Sequence, residues 1–314
     1  MGILYSIAKI LLKTFFIVLA ALMILLGANS AVSALIASRH IRNVPFDGAH
    51  YNLNGLRIFV RSFGEGSPLV ILHDFSDSGL THIQIAQKLS EDQRVFIVDL
   101  PGLGYSEFSS HYDFSIPGIA DVIMELIDHF TTSQIDLLGH GAGGLIALKL
   151  AQEYPGSIRS VVAVNTPMTL DTPPLPEWLL SKRSLSELVL KHIYNTYLLE
   201  KSSAMRAYFN TDAFDAERFL MEYSLSYWVS PEITFDYYHM NKDYVPEGLE
   251  TIRTPVLLIQ GDRASDSSVE GANEMNITLR NSVLVIMENC GRYPMYENQP
   301  VFLNHIRSFL RSVR

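Results

Sequence analysis

The sequence predicts an α/β protein: a mostly parallel, doubly wound sheet with a helical cap inserted in it and a transmembrane helix ahead of it. Three observations carry this. Short apolar runs without alternation, rich in Val and Ile, recur along the body: LVIL (69–72), VFIVDL (95–100), IDLLG (135–139), VVAVN (161–165), VLLIQ (256–260) and VLVIM (283–287). Such runs suit parallel strands buried on both faces. Helical periodicity separates them, and strand–helix alternation reads as a sheet with helices on both faces. From Thr14 to Ser38 no charged residue occurs, a stretch longer than the roughly 20 residues a helix needs to cross a bilayer.

Residues 1–43 are expected to form a membrane anchor and linker. The apolar core FFIVLAALMILL runs from Phe15 to Leu26, and apolar residues continue through Leu35 and Ile36. A cleaved signal peptide is the alternative, since Lys9 and Lys13, an apolar run and the small residues of ANSAVSA (28–34) are its parts. Lys9 and Lys13 face Arg39 and Arg42 across the segment, so the positive-inside bias is close to a tie. The expectation is a single-pass protein held in the lipid bilayer with its body outside the cytoplasm, or a secreted one if the segment is cleaved.

The body divides into a core over residues 44–165 and 251–314 and a helical cap over 166–250. Asn54-Gly55 between two short apolar runs signals a hairpin. Ser115-Ile-Pro117 is an N-cap signal, and IADVIMELIDHF (119–130) follows with helical spacing. LIALKLAQEY (145–154) is a second helix, closed by Pro155-Gly156, and VFLNHIRSFLRSV (301–313) a third. Between Asn165 and Thr254 the rhythm breaks. TPPLP (172–176) marks the entry, three helical stretches follow, and both tryptophans and eight of the fifteen tyrosines lie there. This interval is placed over the carboxyl ends of the strands, where open α/β sheets bind ligands. Its aromatics are either its own core or the walls of a pocket.

Composition excludes other classes. With 48% hydrophobic and 18% charged residues the chain is no disordered or low-complexity polymer. Its net charge is −9, and no Asp or Glu precedes Asp47, so the body is acidic and nucleic acid is no partner. One cysteine, Cys290, leaves no internal disulfide and no Cys-rich metal site. No cofactor and no metal are expected.

The strand IDLLG runs into Gly139-His140-Gly141-Ala142-Gly143-Gly144 and then a helix. A nucleophile elbow, G-x-S-x-G, has this layout, with small residues flanking a tight turn. LVILHDF (69–75), the Asp99–Ser106 loop in VFIVDLPGLGYSE, VLLIQGD (256–262) and ENCGRYPMYENQP (288–300) stand in matching order. On these motifs the chain resembles the α/β-hydrolase-fold family with a helical cap, over residues 50–314. The resemblance implies a Ser–Asp–His triad at 141, 264 and 292, where this chain has Gly141, Ala264 and Arg292. It also implies a glycine in the oxyanion loop, where this chain has Asp74 between His73 and Phe75.

Each departure has a chemical meaning. Gly141 has no side chain to form a covalent intermediate. Arg292 stays protonated and cannot serve as a base. Asp266, two positions past Ala264, is expected to be a solvated loop carboxylate, and Asp262 to brace its loop. His73 and His140 are expected to be structural, His140 facing away from the line of attack, and Cys290 to be an inert small residue. The chain therefore reads as a non-hydrolytic pseudoenzyme that binds a small molecule or a partner. In one version the amides near Ala142 and the Arg292 guanidinium take an anionic or carbonyl-bearing small molecule. In the other, Asp74 pairs with Arg292 and plugs the site, leaving a tethered module for a protein partner. The alternative function is an atypical enzyme (a non-triad hydrolase, a lyase or a proton-transfer enzyme) using groups outside the usual loops, such as His239 or Tyr238 of the cap.

Overall fold

The structure is a computed structural model and describes residues 2–53, 55–109, 111–170 and 176–314. Eight strands form one sheet: β1 (Ala49–Leu53), β2 (Leu56–Phe63), β3 (Pro68–Leu72), β4 (Arg94–Val98), β5 (Ile135–His140), β6 (Ile158–Val164), β7 (Val256–Gly261) and β8 (Ser282–Met287). Their order is β1-β2-β4-β3-β5-β6-β7-β8. β1 and β2 pair antiparallel, as do β2 and β4, and every other neighbour is parallel. The Gly55 amide donates to Asn52 Oδ1 at 3.0 Å within the first hairpin; Asn54 lies outside the described residues. β3 is flanked by β4 on one side and β5 on the other, so the connections leaving β3 and β5 run in opposite directions. The crevice at their carboxyl ends is the topological switch point, where open α/β sheets place ligands.

Helices cover both faces because apolar residues recur along one side of each. α3 (Ile116–Phe130), α4 (Ala142–Glu153) and α10 (Val269–Thr278) bury one face with Ile119, Ile123, Leu145, Leu148 and Met275. α2 (Ile83–Leu89) and α12 (Gln299–Ser312) bury the other with Ile85, Leu89, Phe302 and Ile306. Ser115 caps α3 by accepting the Gly118 amide at 3.2 Å. β8 departs from the expectation of burial on both faces. It is an edge strand, with Val283 58% and Ile286 37% exposed, because among the described residues no further strand pairs with its outer edge.

Between β6 and β7 the described residues hold five α-helices, α5 (Glu177–Leu180), α6 (Arg183–Val189), α7 (Tyr197–Arg206), α8 (Ala216–Ser226) and α9 (Pro231–Asn241), rather than three helical stretches. Their turns carry caps that periodicity does not show: Asp215 accepts the Glu217 and Arg218 amides, and Ser230 accepts that of Glu232. Of the expected entry TPPLP, residues 172–175 lie outside the described residues.

α1 (Gly2–His40) is long and apolar enough to cross a membrane. Its large side chains from Tyr5 to Leu25 are exposed, but its last turns dock on the helices between β6 and β7. Ser33 and Ala37 are fully buried, Ala37 against Phe219 and Tyr223. Ser33 Oγ accepts the Tyr197 amide at 3.1 Å, Ser30 Oγ bonds His192 Nδ1 at 3.1 Å, and Tyr227 donates to the Ser30 carbonyl at 3.3 Å.

One buried ion pair ties the loops leaving β3 and β4. Arg61 and Asp99 are both inaccessible to solvent, 3.4 Å apart. Asp99 also accepts the Gly79 and Tyr105 amides, each at 2.8 Å. Removing one member of a buried pair leaves an uncompensated charge, which costs about 3–5 kcal/mol. Arg61→Met is expected to fall at the low end, about 3 kcal/mol, because Asp99 keeps two amide donors. Urea denaturation measures it, and an unchanged midpoint would mean that the amides alone satisfy Asp99.

Candidate functional site

The turn after β5 sets the geometry. Gly141 is held at φ 56°, ψ −123°, a conformation that side chains strain to adopt, and α4 begins at the next residue. A Cβ built on Gly139 would run into the backbone of Gly143, so strand and helix approach too closely for any side chain there. A Cβ built on Gly141 would fall on the carboxylate of Asp74. The space above the turn is therefore filled.

Asp74 reaches that space from the loop after β3. Its Oδ1 accepts two backbone amides, Phe75 N at 2.7 Å and Ala142 N at 3.0 Å, the latter at the head of α4. Its Oδ2 is ion-paired with Arg292 Nη2. The loop is held beneath by His73, fully buried, whose Nε2 accepts the Leu100 amide at 2.9 Å. That bond leaves the proton on Nδ1, which donates to the Asp74 carbonyl at 2.7 Å. His73 is thus a structural pin, as its position in the loop suggests.

Arg292 lies between two carboxylates. Besides Asp74, it donates from Nη1 to Asp266 Oδ2 at 2.9 Å and from Nη2 to Ser76 Oγ at 2.6 Å. Burial opposes its charge, but Tyr293, Asp74 and Asp266 push its pKa well above the ordinary arginine value. Asp266 is therefore not a solvated loop carboxylate. The turn after β7 brings it back to Arg292, and burial raises its pKa although Arg292 pulls the other way. Ala264 sits in that turn, its amide bonded to the Gly261 carbonyl at 3.3 Å, and brings no chemical group to Arg292. Asp262 braces the neighbouring loop by accepting the Cys290 amide at 3.3 Å. Cys290 itself is buried, which pushes its thiol up to about 11.

Behind Arg292 is a second polar layer. His140 is fully buried and donates from Nε2 to the Arg292 carbonyl at 2.9 Å, so it packs against the Arg292 backbone and not into open space. Its Nδ1 is 3.5 Å from Asp77 Oδ2, and Tyr293 donates to Asp77 Oδ1 at 3.0 Å. Burial opposes charge on His140, but Asp77 wins and raises its pKa. Burial likewise opposes charge on Asp77, and its bond to His140, with Arg292 beside it, lowers its pKa below the usual carboxylate range. The neighbouring His82 is pushed far below the histidine range by burial first and by His140 second.

Two cavities border this layer. One, about 550 Å³, is lined by Phe75, Ser76 and Asp77 on the core side and by Leu190, Tyr227 and Trp228 on the other, with Ala34 of α1 in its wall. The second, about 180 Å³, is lined by Arg292, Tyr293, Arg218 and Glu222. Ser76, Asp77, Glu200 and Ser226 border both. Gly141, Ala142 and Asp74 line neither, so the Asp74 carboxylate lies between the turn and the cavities. Glu222 accepts Ser78 Oγ at 2.8 Å and Thr81 Oγ1 at 2.6 Å, and burial with Asp77 nearby pushes it up to about 7. Arg218 bonds the Tyr208 hydroxyl and lies 3.7 Å over the Tyr296 ring.

Arg218, Glu222 and Tyr208 are among the cap residues that meet the site, with Glu200 and Ser226. His239 is exposed and stacked on Phe235, and Tyr238 packs among Leu179, Leu190 and Phe235. Ser76 and Asp77 carry a sequence signal, since they follow Asp74 directly. Nothing in the helical pattern marks Glu222 or Arg218.

Comparison with known proteins agrees with this architecture. Residues 67–299 match the alpha/beta hydrolase fold family, and the chain belongs to it, as the motif loops imply. It is similar to a pimeloyl-[acyl-carrier protein] methyl ester esterase of Aeromonas hydrophila, 33% identical over 109 residues, which span 35% of this chain and 41% of the esterase. It is 22% identical to an uncharacterized hydrolase of Bacillus subtilis over 83% of this chain and 97% of that one. Among solved structures, a membrane phospholipase A described as a bacterial virulence factor superposes with a TM-score of 0.72 at 21% identity, covering 98% of this chain and 99% of that one.

Two expectations follow from this geometry. Asp74→Ala removes the shared partner of two amides and Arg292, and is expected to cost about 3 kcal/mol, the low end for a buried pair because Asp266 remains. Formate or acetate should restore part of the loss in the variant and none in the parent, as thermal unfolding with and without added anion would show; no rescue would mean the site collapses. Glu222 titrates near 7 folded against 4.5 ordinarily, so its folded form holds the proton more tightly. Its stabilising contribution is complete below pH 4.5 and lost as pH rises through about 7. Relative to Glu222→Gln, the parent chain is therefore expected to lose stability across that window and run parallel above it. Parallel curves throughout would show that Glu222 is ionised in both states.

Proposed function

We propose that this chain is a membrane-anchored α/β-hydrolase-fold protein that does no triad hydrolysis and instead binds a small molecule or a protein partner through its cap-side cavity. One observation carries the reading: the Asp74 carboxylate sits on the amides of Phe75 and Ala142. In acyl transfer, amides so placed stabilise the negative charge that develops in the transition state. A permanent carboxylate already neutralises them. Gly141 offers no nucleophile, and Arg292, ion-paired on both sides, cannot accept a proton. The ester chemistry named for the Aeromonas relative would need the groups this chain lacks at those positions.

The anchor reading is supported by α1. Ser30 and Ser33 bond to the cap, so cleavage within residues 28–34 would take these partners from His192 and the Tyr197 amide. We place the body outside the cytoplasm, with α1 in the bilayer.

A second reading is a proton-transfer enzyme. Glu222, which faces the smaller cavity and titrates near 7, favours it, because a general base works best near the operating pH.

Hydrolysis of activated acyl esters by the full chain in detergent tests both. The parent is expected to match the rate in detergent alone, while the combined Asp74→Gly, Gly141→Ser, Ala264→Asp and Arg292→His variant turns over. Saturable turnover by the parent would overturn the reading. Its loss in Glu222→Gln would assign that turnover to the second.

A further inference from the structure

We propose that the larger cavity binds a ligand carrying an ammonium group, primary or quaternary, with the Glu200 carboxylate as counter-ion and the rings of Tyr194, Tyr227 and Trp228 as walls. The proposal rests on the reading that this cavity binds rather than hydrolyses. Glu200 stands in the first turn of α7 and lines both cavities, at their junction. Among the described residues its carboxylate makes no hydrogen bond and no ion pair. Burial alone pushes its pKa up to about 7, with no opposing cation. Glu200 is half-buried in the cavity wall, and a partly desolvated carboxylate without a partner gains from an arriving cation.

Among the described residues no nearby cation is paired with Glu200. Arg218 is bonded to Tyr208 and stacked on Tyr296, and Arg292 is held between Asp74 and Asp266. Lys201 lies 5.8 Å over the Tyr197 ring, and Lys191 is exposed where it borders the cavity. Of the other acids of the junction, Asp77 is ion-paired with His140 and accepts from Tyr293, and Glu222 accepts from Ser78 and Thr81. Glu200 is thus the acid left without a partner.

The walls suit the same ligand. Tyr227 and Trp228 meet edge to face, 5.2 Å between centroids. Aromatic faces attract a cation through their quadrupole, most strongly where water is excluded. At about 550 Å³ the cavity has room for a small organic cation or a lipid headgroup. The amides at the strand ends offer an anionic ligand no place, because Asp74 already accepts from them and pairs with Arg292.

The source of the ammonium is left to the experiment, since Ala34 of the anchor helix forms part of the wall. The full chain would be placed in nanodiscs of phosphatidylglycerol, which has no ammonium. Calorimetry would then follow titration with choline and with its uncharged isostere 3,3-dimethylbutan-1-ol. Choline is expected to bind saturably, the isostere and the Glu200→Gln variant at least about tenfold more weakly, a difference of about 1.4 kcal/mol. Tyr227→Leu is expected to weaken choline without abolishing it. In phosphatidylcholine nanodiscs, suppressed choline binding would identify a lipid headgroup as the occupant, and unchanged binding a free amine. Equal binding of choline and its isostere, or unchanged binding in Glu200→Gln with the same unfolding temperature, would overturn the proposal. Ester turnover by the parent chain would overturn the underlying reading and leave the ammonium selectivity to be judged on its own.

Discussion

The Asp74 carboxylate joins three segments that are far apart in the chain. Phe75 belongs to the loop after β3, Ala142 to the head of α4, and Arg292 to the loop after β8. All three meet at the switch point of the sheet, where two connections part and leave backbone amides without partners. Some acceptor must satisfy those amides or water must reach them. Asp74 supplies it from within, and its second oxygen then brings in a cation. The position of Arg292, its second carboxylate Asp266, and the His140 bond to its carbonyl all follow from that placement.

The physical origin of each element explains what could be read in advance. The parallel strands were legible because burial on both faces forces continuous apolar runs, as in Val70 to Leu72 or Leu137 to Leu138. β8 has the same pattern yet is half exposed, since a run of apolar residues does not say whether a strand is central or marginal. The turn around Gly141 was legible from its glycines, and the Asp74–Arg292 pair from two charges arriving in loops that converge. Asp266 was not, because its partner lies in another loop and the local sequence Ser265-Asp-Ser-Ser268 reads as solvent-facing. Glu222 and Arg218 were invisible for a related reason. In an amphipathic helix a polar residue signals solvent by default, and the tertiary packing of α8 on the β3 loop puts both inside.

α1 and the cap are joined by direct contacts. Ser30, Ser33 and Ala37 of α1 bond or pack against residues from three places, His192, Tyr197 and the Phe219–Tyr223 face of α8. α8 in turn carries Glu222 to Ser78 and Thr81 of the core. A force on the helix thus reaches the loop holding Asp74 through a short run of packed and hydrogen-bonded contacts.

The occupied centre also decides the electrostatics around it. Were Asp74 a glycine, two amides and a guanidinium would face outward and the site would favour anions. With Asp74 in place the two amides have their acceptor and the guanidinium its counter-ion, and Asp266 adds a second negative charge to the same arginine. A serine restored at 141 would meet the carboxylate that fills its space, and removing the carboxylate alone would leave Arg292 without its closest partner. Each position therefore holds the others as they are. Glycine at 141 admits the carboxylate, the carboxylate holds the arginine, and the arginine keeps that loop from presenting a base. With the centre closed on itself, a carboxylate without a partner among the described residues stands at the cavities, that of Glu200, displaced from the strand ends toward the junction of cap and α1.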